Sequence, residues 1–209
     1  MIGRLTKRDK AILADLKRFR VMDRDSIAEL HFAGLANPIT ATNTVMLRLV
    51  RQGHAKRSTV TSPYCYFDAN MNVKPSSAKL PHWLAILDVY KDVRKYGKIE
   101  QFDVEPKLGA KGTVEPDIFM RFRKTPFFIE VQNAVYSERQ MQQKFKRYES
   151  LYYSGKLSPF PHVLLISEHQ YALGDYPFRV FQARSFTDFM RKVEVLKPKE
   201  SRGIKVRIS

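Results

Sequence analysis

Residues 115–132 constrain the chain most. Two apolar runs, Glu115-Pro-Asp-Ile-Phe-Met-Arg-Phe and Phe127-Phe-Ile-Glu-Val-Gln132, are interrupted by Glu115, Asp117, Glu130 and Gln132. Successive strand residues point to opposite faces, so Glu115 and Asp117 share one face and Glu130 and Gln132 share another. Phe127, Ile129 and Val131 then face a core. A hairpin around Lys124-Thr-Pro126 would bring Asp117 and Glu130 together at one end of a sheet. Two such carboxylates repel unless something positive lies between them. A divalent cation with hard oxygen ligands, Mg2+ or Mn2+, would meet that need and could polarise a phosphodiester and activate a water. The alternative is a solvated sheet face on which both acids pair with Arg121 or Arg123.

The charge balance points to the class of partner. The 209 residues carry a formal net charge of +16. Residues 1–80 hold 14 Lys/Arg against 6 Asp/Glu and residues 81–209 hold 23 against 15, so the excess is not confined to a tail. Nucleic acid is the usual partner of such a chain. A single Cys65 excludes an intrachain disulfide and fits a reducing compartment. His31, His54, His82, His162 and His169 show no zinc spacing. No run is long and apolar enough for a signal peptide or a membrane span, so a soluble cytoplasmic protein without a membrane partner is expected.

Helices are expected from Thr6 to Phe19, from about Asp23 to Phe32, and from near Thr40 to a stop at Gly53. The β-rich runs His54–Val60 and Tyr64–Phe67 follow as a hairpin. Three helices and a hairpin are the plan of a winged helix-turn-helix, with the third helix in the major groove and the hairpin along the backbone. Thr40, Thr44, Leu47, Arg48 and Arg51 lie on the outer side of that helix. Thr44 and Arg48 are expected at base edges, and Arg51, Lys56 and Arg57 at phosphates, of double-stranded DNA. An ordinary solvated helix face, or a protein-docking module, would show the same pattern.

Residues 69–80 read as a linker between a first domain, 1–68, and a second, 81–190, with a basic tail at 191–209. The second domain begins with a helix from Pro81 to about Tyr96 that contains Asp88, followed by a strand over Ile99–Val104 and the two strands described above. Ser137 with Gln140 is a capping box that opens a helix with Met141, Phe145, Tyr148 and Tyr152 on its buried stripe. His162–Ser167 reads as a strand buried on both faces. Arg179–Ala183 and a helix from Ser185 complete the chain, which is mixed, α+β or α/β.

Pro116-Asp117, an interval, and Glu130-Val-Gln132 resemble the PD-(D/E)XK nuclease motif, with Gln132 where that motif has Lys. The resemblance implies a restriction-endonuclease-like αβββαβ domain. If the domain is an enzyme, it implies a Mg2+-dependent endodeoxyribonuclease. Asp117 and Glu130 would then hold Mg2+ or Mn2+, with Asp88 as a further metal ligand. Gln132 or Lys144 would orient the water or phosphate, Lys144 being where a Lys displaced to the following helix would lie. Read from its neighbours alone, Lys144 is a surface residue beside Lys146 and Arg147. The whole layout, with His82 opening a helix, Pro116-Asp117 before a strand, and Lys144 four residues before Tyr148, is similar to the bacterial replication-relaxation family. That similarity implies a DNA-associated protein of a plasmid, phage or mobile element acting in DNA replication or processing. It also leaves open a catalytically inactive regulator that uses the nuclease fold as a binding or dimerisation platform. A homodimer would suit a palindromic site, although no heptad pattern marks one.

Overall fold

The computed structural model describes residues 4–72, 74 and 77–195. Helix α1 (Lys7–Phe19) starts where Thr6 and Asp9 cap each other reciprocally, each side chain accepting from the other's backbone N–H. Strand β1 (Met22–Asp23) leads directly into α2 (Arg24–Phe32), which Asp23 caps by accepting from Ser26 N–H. Helix α3 (Pro38–Arg51) begins on a proline, which lacks the N–H that a first turn leaves unpaired. It is followed by Gly53 at φ 75°, where a side chain would be strained. Strands β2 (Ala55–Ser58) and β3 (Cys65–Asp68) pair antiparallel, and β1 adds to the far side of β3. The resulting sheet order is β1-β3-β2.

The second sheet has the order β4-β5-β6-β7-β8, from β4 (Ile99–Val104), β5 (Ile118–Phe122), β6 (Thr125–Gln132), β7 (His162–Ser167) and β8 (Val180–Ala183). Its first three strands run antiparallel and its last three parallel. Helices α4 (Leu80–Arg94) and α6 (Phe186–Val195) pack with Phe127, Ile129 and Val131 in one core. Helix α5 (Glu138–Tyr153) covers the opposite face through Met141, Phe145, Tyr148 and Leu151, packed with Phe128, Val163 and Leu165. The chain is thus mixed α+β, with six helices and two sheets among the described residues.

The β5–β6 turn is tighter than the expected Lys124-Thr-Pro126. Arg123 and Lys124 both take left-handed backbone, at φ 48° and 63°. A two-residue turn of that kind matches the twist of the strands it joins. Lys124 N–H donates to Glu100 Oε1 at 3.0 Å and Arg123 Nη2 donates to Tyr96 O at 3.0 Å, which holds the turn in place. The basic tail expected from Arg191 begins inside α6, and residues 196–209 lie outside the described residues, as do 73, 75 and 76 of the expected linker. No helix among the described residues is long and apolar enough to cross a membrane.

One apolar core runs through both sequence halves, from Ile12, Leu16 and Phe19 to Trp83, Ile86 and Phe102. At the junction the Phe19, Tyr90 and Phe102 rings meet at centroid distances of 4.9–6.1 Å. The Arg18 guanidinium lies over all three rings and donates twice to Phe102 O, at 2.8 and 3.1 Å. Lys91 crosses the same junction, donating to Ser26 Oγ at 3.0 Å. Because the core is shared, urea unfolding of the full chain is expected to give a single transition. Arg18→Ala should lower its free energy by about 2 kcal/mol, from lost hydrogen bonds and cation–π contacts. Two separate transitions, with only one sensitive to Arg18, would show that the halves fold independently.

Candidate functional site

The two carboxylates singled out in the sequence meet. Ile118 pairs with Ile129, so one step further along the ladder Asp117 comes opposite Glu130. Asp117 lies just before β5, and its Oδ2 accepts from Val131 N–H at 2.7 Å, which closes the open end of the β5–β6 ladder. Its other oxygen, Oδ1, lies 3.1 Å from His82 Nε2 in the first turn of α4. Glu130 shares the face of Phe128, the face that α5 covers, and is 1% exposed. Its position is therefore a second hydrophobic core and not a solvated face.

Two residues of α5 reach Glu130. Tyr148 O–H donates to Oε1 at 2.5 Å, and Lys144 Nζ forms an ion pair with Oε2. Residues four apart on a helix share a face, so the spacing of Lys144 and Tyr148 delivers both groups to one carboxyl. Lys144 is not the freely solvated residue that its neighbours suggest, since its side chain is only 20% exposed. Neither acid pairs with Arg121 or Arg123, the latter reaching Tyr96 O instead.

Four ionisable groups thus sit together, two acidic and two basic. Burial pushes Asp117 up, but the His82 hydrogen bond, the Lys144 charge and the Val131 N–H outweigh it, leaving Asp117 below the usual carboxylate range. The same hydrogen bond raises His82 above its ordinary value, against the effect of burial. Burial drives Glu130 upward, favouring its neutral form, whereas for Lys144 burial acts downward but is outweighed by the Glu130 and Asp117 charges, which hold it above its ordinary value. The contacts decide for the charged form. Tyr148 donates to one Glu130 oxygen, the Lys144 ammonium is ion-paired with the other, and an ammonium has no lone pair to accept a carboxyl proton. Burial, reinforced by the Glu130 charge, holds the Tyr148 phenol well above its normal value.

This donor set does not fit a divalent ion. His82, Val131 N–H, Tyr148 and Lys144 already engage all four carboxylate oxygens, and the Lys144 charge acts on Asp117 as well as on Glu130. Magnesium requires near-octahedral oxygen coordination, and a cation here would meet an ammonium. Among the described residues, no three of His, Cys, Asp and Glu gather closely enough to hold a metal.

Asp88, expected as a further metal ligand, points elsewhere: its carboxylate is 68% exposed and pairs with Lys91 at 2.7 Å. Gln132, expected to orient water or phosphate, accepts from Tyr171 O–H at 2.9 Å, while its buried Nε2 has no partner. Asp88 and Gln132 both line a cavity of about 530 Å3 between α4 and the ends of β6 and β7. Lys144 instead lines a cleft of about 630 Å3 shared with Lys111, Tyr136 and Arg147.

In the first half, Thr40, Thr44 and Arg51 lie on the exposed side of α3, and Lys56 and Arg57 are exposed on β2. Thr44 O–H donates to Thr40 O at 3.0 Å, and the Arg57 guanidinium lies 4.8 Å from the Tyr64 ring centroid. Arg48, expected at a base edge, has a partner within the fold. Its Nη2 lies 2.6 Å from Oδ1 of Asp9, which is 1% exposed, so it ties α3 to the start of α1. Half-exposed Ile39 and Leu47 stand among the polar residues of the α3 face.

His82 was legible only as part of the overall layout, and nothing in the composition of α4 marks it as the partner of Asp117. Tyr148 reads in sequence as one more member of an apolar stripe, and its hydroxyl contact is invisible there.

Two outcomes check this geometry. The His82 imidazole should titrate by NMR with a midpoint above its ordinary 6.5 and fall back in Asp117→Asn. Its stabilising contribution is then complete below 6.5 and is lost as pH rises through the raised midpoint. Tyr148→Phe should destabilise the chain by about 1–3 kcal/mol, because it removes a donor from a buried carboxylate. An unchanged unfolding curve would mean that this contact carries little energy.

No family model matches the chain, and neither do any curated protein or solved structure with which it was compared.

Proposed function

We propose that the chain is a double-stranded-DNA-binding protein acting in DNA replication or processing. In this reading the first half is a winged helix-turn-helix, and the second is a nuclease-like scaffold whose acidic site is neutralised from within. The observation that carries it is the surface formed by α3 and β2. Thr40, Thr44 and Arg51 are exposed on the helix, Lys56 and Arg57 are exposed on the adjoining hairpin, and the net charge is +16. Helix α3 in the major groove would set Thr40 and Thr44 at base edges, with Ile39 and Leu47 suited to thymine methyl groups. Arg51, Lys56 and Arg57 would neutralise phosphates. Arg48 is left out of this set because Asp9 holds it.

A second reading, DNA cleavage, draws on the meeting of Asp117, Glu130 and Lys144 beside a cleft. The misfit of these residues to a divalent ion favours the scaffold.

Fluorescence anisotropy with a duplex of random sequence, repeated across salt concentrations, tests the DNA reading. Affinity should fall steeply with salt, and Arg51→Ala and Arg57→Ala should each reduce the log–log slope by about 1. Arg48→Ala should act on stability instead, by about 2 kcal/mol, because it leaves the buried Asp9 carboxylate with only its Thr6 N–H contact. Salt-independent or undetectable binding would reject the proposal.

A further inference from the structure

We propose that Lys144 is a built-in counter-ion standing where a divalent cation would otherwise sit, so that the Asp117–Glu130 pair binds metal only when the Lys144 side chain is removed. This inference rests on the geometry of the site and not on whether the chain binds DNA.

The ends of the β5–β6 hairpin bring two acids into one dry corner, and like charges in such a place need a compensating cation. Lys144 supplies it in covalent form. Its Nζ contacts Glu130 Oε2, and its charge also lowers the pKa of Asp117. The remaining contacts brace that arrangement. Tyr148, one turn further along α5, fixes the other Glu130 oxygen, while His82 and Val131 N–H hold the two oxygens of Asp117. A metal entering the intact site would have to approach an ammonium and displace it from a carboxylate, leaving a buried unpaired charge. The approach is itself guarded, since the cleft that Lys144 lines also carries Lys111 and Arg147.

Removing the ammonium inverts the situation. Lys144→Ala leaves Glu130 Oε2 without its cation near the Asp117 carboxylate, and the volume of the lost side chain opens onto the cleft that Lys144 lined. Hard carboxylate donors with water completing the shell suit Mn2+.

The test is calorimetric titration of the full chain with MnCl2, with melting temperatures measured alongside, on wild type, Lys144→Ala, and Lys144→Ala combined with Asp117→Asn. Wild type should show no saturable binding at this site and no melting shift. Lys144→Ala should bind Mn2+ and melt roughly 5 °C higher at about a hundredfold excess over Kd. The double variant should lose that response. Saturable binding by wild type that disappears in Asp117→Asn would overturn the proposal, as would a folded Lys144→Ala protein that ignores Mn2+. Should Lys144→Ala unfold in the absence of metal, recovery of its fold in Mn2+ supports the proposal. If it stays unfolded in Mn2+, Lys144→Gln, which keeps the packing of the stem without the charge, is read by the same criteria, and absence of binding there is equally decisive against it.

Discussion

The second half of the molecule is arranged around a carboxylate placed in a hydrophobic core. Glu130 occupies a central strand between Phe128 and the underside of α5, a position where an unpaired charge would be prohibitive. Its partners fix much of what surrounds it. Lys144 and Tyr148 must share one face of a helix, which sets the rotation of α5 about its axis. Asp117 must stay opposite Glu130, which sets the register of the β5–β6 hairpin. His82 then draws the start of α4 to the same corner from the far side of the sheet. Burying such a cluster adds little net stability over apolar packing but specifies one arrangement strongly, because every alternative leaves a charge unpaired.

The first half packs against this scaffold through a shared apolar core. Arg18 and Lys91 carry hydrogen bonds across the junction, where the Phe19, Tyr90 and Phe102 rings pack around Arg18. Helices α1 and α4 therefore meet in a core common to both halves.

Much of this architecture could be read from periodicity. The strands Ile99–Val104 and His162–Ser167 and the capping box at Ser137 fall where alternation and spacing put them. Strand β1 could not be read, because two residues have no period and Asp23 serves at once as strand end and helix cap. The convergence of Asp117 and Glu130 was also legible, since strand parity and hairpin register follow from local sequence. The identity of the positive charge between them was not. Lys144, Lys146 and Arg147 look alike in a row, and only the position of Lys144 four residues before Tyr148 separates a core-facing lysine from two solvated cations. The Asp9 contact of Arg48 was likewise not legible: its place on α3 resembles a reading position, and Asp9 lies 39 residues away in sequence.

Lys144 and Glu130 are obligate partners in this arrangement, and a double-mutant cycle measures their coupling. Unfolding free energies in metal-free buffer are compared for Lys144→Met, Glu130→Gln and the double variant. Lys144→Met alone should cost about 3–5 kcal/mol, since it strands a buried carboxylate, and adding Glu130→Gln should restore part of that loss. Strictly additive costs, or a Lys144→Met protein as stable as wild type, would contradict the claim that this ion pair organises the site.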